Sequence, residues 1–156
     1  MPDPALHPEE SRDARLTRNW NELLQELRVA QTGVQILTAF LLTLPFTSRF
    51  EELSDAQEGV YLAVLSGSVA ATALLVAPVA MHRALFRKGQ RPWLVTAAHL
   101  CAILGLVALA LTVSGVMWLV FDVVVGPPGT WIAFVITLAL FGSLWIGLPQ
   151  LNRRTR

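Results

Sequence analysis

Four uncharged, mostly apolar runs dominate this chain, each at least 18 residues long. A helix of about 20 such residues crosses a hydrocarbon core of about 30 Å. The runs predict spans at 28–46, 59–82, 93–121 and 131–148, and so an all-α, integral membrane four-helix bundle. Composition agrees: only 15% of residues are charged, where a soluble domain carries about a quarter. The spans fall in one membrane domain, 19–150.

The first span is entered from a polar end. Met1 to Arg18 mixes three prolines with both signs of charge and reads as a disordered tail, 1–18. Asn19 and Glu22 have the spacing of a capping box, so a helix is predicted to start there, with Trp20 at headgroup level. Arg28, Gln31, Thr32 and Gln35 then lie on one side of that helix at 100° per residue, in line with Asn21, Gln25 and Ala39. Two glutamines have no use against lipid, so this face is expected to meet protein or water.

In the second span Gly59, Ala63, Gly67 and Ala71 recur every fourth residue. Small residues so placed let helices approach closely in lipid, which makes this the predicted packing face. Pro78 is expected to bend the same helix. The third span is overlong: 29 residues, 93–121, extend about 44 Å as a straight helix. It is expected to tilt, project, or flex at Gly105 and Gly115. Gly126-Pro127-Pro128-Gly129 forces a turn, Pro149 stops the fourth helix, and 151–156 forms a basic tail.

Charge sets the orientation. Of 12 basic residues, 11 fall on one side of this topology and only Arg49 on the other. The positive-inside rule makes the first side cytoplasmic, with both termini there, in a multi-pass plasma-membrane protein. Trp20, Trp93 and Trp145 mark the inner boundary, and Tyr61, Trp118 and Trp131 the outer one.

Once oriented, Arg28, Gln31, Thr32, Gln35, His82 and His99 share a cytoplasm-side depth. They form either a polar pocket with a titratable His99 or a network of interhelical hydrogen bonds that holds the bundle. Asp122 is the candidate outer-side ion contact, against the alternative of a solvated acid at a loop edge. No carboxylate lies mid-span, where desolvation would make proton exchange competitive. No nucleophile–base pattern, phosphate loop or metal-ligand spacing is present, and the single Cys101 allows no disulfide within the chain. The chain therefore reads as a non-enzymatic self-assembling or accessory membrane subunit, with no cofactor or metal. A small cation/proton antiporter-like transporter using the polar cluster is the alternative. The expected partners are the bilayer, anionic headgroups at the basic loop 83–91 and the tail, and further copies or a larger complex. Nucleic acid is not among them.

The segment ELRVAQTGVQILTAFLLTLPF, the acidic loop after it and the basic RKGQR loop together resemble a family of small four-span membrane proteins common in actinobacteria. That family is of unknown function, and its members are sometimes labelled sodium:proton antiporters. The resemblance covers most of 19–150 and implies a plasma-membrane location.

Overall fold

Burial along the second apolar run falls on Tyr61, Val64, Ser68, Ala71, Leu75 and Pro78. The alternating steps of three and four residues draw one continuous seam down a helix. That helix, α2 (Asp55–Leu85), is central in the computed structural model of the chain, which describes residues 8–85, 91–147 and 150. α1 (Pro8–Thr43) and α3 (Arg91–Val124) pack against it, and α4 (Gly129–Gly142), which continues as a π-helical turn to Gly147, packs against α3. All four are long and apolar enough to cross a membrane, over Leu24–Phe46, Asp55–Met81, Thr96–Val124 and Gly129–Gly147.

Contacts fix the register. Gly115 faces Val64, Gly67 faces Thr112, and Gly105 faces Leu75, so α2 and α3 run antiparallel in close contact. A β-carbon added at Gly115 would sit 2.7 Å from Val64 Cγ2, and one at Gly67 would sit 2.6 Å from Thr112 Oγ1. The glycines of α3 are therefore points of contact with α2, and the flexing expected at Gly105 and Gly115 gives way to packing. On α3, Ala110 and Ser114 are buried as well. They lie about 140° and 180° around the helix from Gly105, so α3 is covered on two opposite faces. That double burial explains why its sequence carries no stripe.

Two expectations about helix ends change. α1 reaches back to Pro8, through the stretch read as a disordered tail and past the start expected near Asn19. Proline is accommodated at a first helical position, where its missing N–H has no helical partner to lose. The excess length expected of the third helix alone is shared: α1, α2 and α3 have 36, 31 and 34 residues. At the far end, α3 closes through the Val125 and Gly126 amides, both donating to Phe121 O. Gly126 takes a left-handed φ of 74°, a conformation that glycine adopts without steric cost. The chain then enters α4 directly.

The layers are unequal. Of the four spans, 28% of α2 and 33% of α3 are buried, but only 11% of α1 and of α4. α2 and α3 make the core, and α1 and α4 flank it.

Candidate functional site

Proline has no N–H, so it leaves the carbonyl four residues earlier without its helical donor and crowds that turn. In lipid such a carbonyl has to be satisfied from a neighbouring element. Pro45 strands Leu41 O in this way, and the buried Tyr61 hydroxyl, from α2, donates to it at 2.9 Å. The ring of Phe50 holds Tyr61 from the other side, edge-on at 5.0 Å. Tyr61 is 2% exposed, so it is a core residue and not the headgroup aromatic expected from sequence.

A second bond joins the same two helices near Pro78, but on a different carbonyl: Pro78 strands Leu74 O, while the bond from α1 goes to Leu75 O. Pro78 is fully buried in α2. At its turn the Gln31 side chain crosses from α1, and Nε2 donates to Leu75 O at 2.8 Å. Gln31 thus joins two helices.

The rest of the predicted polar cluster is not drawn together by hydrogen bonds. Thr32 donates to Arg28 O within its own helix. Arg28 and His99 are exposed, and neither has an ion pair or hydrogen bond among the described residues. The side chain of His82 lies outside the described residues, as do most of the basic loop 83–91 and the tail. Gln35 is exposed too, midway along the Leu24–Phe46 span and without a hydrogen bond among the described residues. It lines an open groove of about 490 Å³ between α1 and α2, with Thr38, Ala39, Val69, Thr72 and Ala73. Of the small-residue face, Ala71 is fully buried and Gly67 is in contact, but Gly59 and Ala63 are exposed. The buried seam alternates three and four residues, so a strict four-residue row drifts off it.

Asp122 anchors the opposite end of the bundle. Its Oδ2 accepts from Gln57 Nε2 at 2.8 Å, and its Oδ1 accepts from Thr130 Oγ1 at 3.1 Å. Gln57 is itself fixed by a capping box that opens α2. The Ser54 amide donates to Gln57 Oε1, and the Gln57 amide donates to Ser54 Oγ. With Oε1 occupied by a donor, the NH₂ of Gln57 has to point at the carboxylate. Asp122 therefore ties the start of α2 to the end of α3 and the start of α4. A small cavity of about 170 Å³ adjoins it, with Arg49 and Glu52 in its wall, and these two form an exposed ion pair at 2.8 Å. No group of three or more metal-ligating side chains occurs among the described residues.

A family model, described as a family of unknown function (DUF6328), matches residues 9–149. The chain belongs to the DUF6328 family. No curated protein and no solved structure matches it. The matched range includes Gln31, Gln35, Tyr61 and Asp122.

Sequence reasoning missed Tyr61, Gln57 and Thr130 as bonding residues. Signals for the first two were present. Pro45 announces a stranded carbonyl, and Ser54-Asp55-Ala56-Gln57 is a better capping box than the Asn19–Glu22 pair, which lies inside α1.

Proposed function

We propose that this chain is a non-enzymatic subunit of the plasma membrane, with both termini cytoplasmic, that works by assembling with itself or within a larger membrane complex. The observation that carries this reading is the inequality of the layers. The core helices are closed on each other, while along the apolar windows of α1 and α4 only 11% of positions are buried, against 28% and 33% in α2 and α3, so each flanking helix presents an open face to whatever surrounds it. Buried hydroxyls support it: Ser68, Thr112 and Ser114 all donate to carbonyls of their own helices and leave no polar path between α2 and α3. The residues on which cation/proton exchange would draw are also committed in part, Gln31 to Leu75 and Asp122 to Gln57 and Thr130. The basic loop and tail would hold the inner face against anionic headgroups.

Extraction of the full chain into polymer-bounded discs of native membrane tests the reading. The expected result is a protein mass well above the 17.1 kDa of one chain, from further copies or companion subunits. Discs holding one chain and nothing else would overturn it.

A further inference from the structure

Gln35 poses a problem that the isolated chain does not solve. Its carboxamide is exposed midway along Leu24–Phe46, the part of α1 long and apolar enough to cross a membrane, and a spanning α1 would hold it where water is scarce. An amide there without a partner is costly, and the intrachain neighbours do not supply one. The hydroxyls along the groove donate elsewhere, Thr38 to Val34 O and Thr72 to Ser68 O, and neither accepts a hydrogen bond from Gln35. Gln35 thus brings the one amide that the groove leaves unsatisfied, and the remaining lining is small or apolar, with Ala39, Ala73 and Val69 at its floor and rim.

Those facts specify the occupant closely. It has to be apolar, to match a lining without a charged residue. It has to approach closely, because Ala39 and Ala73 hold little volume between the backbones. It has to carry, at mid-membrane, a group that both donates and accepts. The first helix of the same chain meets all three conditions with Gln35 itself. A two-fold axis along the membrane normal preserves depth, so each residue near the axis meets its own copy at its own level. Two Gln35 carboxamides facing each other there can exchange a pair of N–H···O bonds.

We propose that the α1–α2 groove around Gln35 is the site of homodimerisation, closed by a second copy of this chain with Gln35 against Gln35 at the two-fold axis. The proposal rests on the assembly reading above and narrows it to one face and one partner.

Thiol cross-linking in native membranes tests it, with two differently tagged copies of the full chain co-expressed in a Cys101→Ser background. Ala39→Cys, on the groove, is expected to give an adduct carrying both tags. Phe40→Cys, 69% exposed and pointing away from the groove, is expected to give none. Gln35→Leu is expected to weaken self-association of labelled chains in lipid vesicles by about ten- to a hundredfold, the worth of two interhelical hydrogen bonds. Gln31 and its bond to α2 remain intact in that variant. An adduct at Phe40 in place of Ala39, or unchanged association of Gln35→Leu, would overturn the face while leaving assembly standing. An Ala39 adduct with a different polypeptide would overturn the second copy as the occupant but not the subunit reading. Single chains in native discs, with no adduct at either position, would remove both.

Discussion

The two interfaces of α2 are built on different principles. Towards α3 it packs by shape: glycines at 67, 105 and 115 bring the helices so close that an added methyl would overlap a neighbour. Towards α1 it is held at two points by hydrogen bonds to backbone carbonyls, Leu41 O at the Pro45 turn and Leu75 O, and the surface beside those points stays open as the Gln35 groove. Close packing needs small residues and excludes everything else. Two separated bonds hold a helix in place without covering it, which leaves room for a further element.

The contrast predicts a graded response to substitution, read as unfolding free energy of the full chain in detergent micelles. Gly115→Val should be the most damaging. Its branched side chain would meet Val64, and overpacking of this kind costs about 1–3 kcal/mol or somewhat more. A Gly115→Val protein as stable as the parent would mean that α2 and α3 are not packed by shape. Tyr61→Phe should come next, at about 1–2 kcal/mol, because it strands a buried carbonyl. Pro45→Ala gives Leu41 O a donor within α1, so the cost of Tyr61→Phe should fall by at least half in that background. An unchanged cost would separate Tyr61 from Pro45 and break the account of this interface. Gln31→Leu should be the mildest, at about 0.6–1.7 kcal/mol. That cost should be little changed in a Pro78→Ala background, because an amide at 78 serves Leu74 O and leaves Leu75 O as it was; only the Tyr61–Pro45 cycle should couple.

Much of the architecture was legible because a bilayer restricts what a chain can do. Long uncharged runs leave little alternative to spanning helices, and each of the four runs lies in a helix long and apolar enough to cross a membrane. Which faces meet was harder to read. The seam on α2 mixes Tyr61, Ser68 and Pro78 with Val64, Ala71 and Leu75. It shows in hydropathy only weakly, and the row of small residues beside it was more conspicuous. The α3 pattern was invisible because both faces are buried. Within the candidate site, Gln31 and Gln35 were legible as polar residues out of place in lipid, but not as residues with different fates. One reaches a neighbour's carbonyl and the other looks outward, about 40° apart as seen from the helix axis. Sequence spacing alone cannot separate them, because the dividing line is set by where α2 sits.

The two bonds between α1 and α2 also bear on how such a protein enters the membrane. While α1 alone has left the ribosome, Leu41 O has neither a helical donor nor Tyr61, which arrives twenty residues later. The Gln31 carboxamide, in turn, gains its Leu75 O acceptor only when α2 follows. The second helix of the hairpin therefore completes the backbone of the first, and the pair is best regarded as one unit of biogenesis. A synthetic hairpin of 8–85 should insert where α1 alone stalls at the interface, held there by a carbonyl still bound to water.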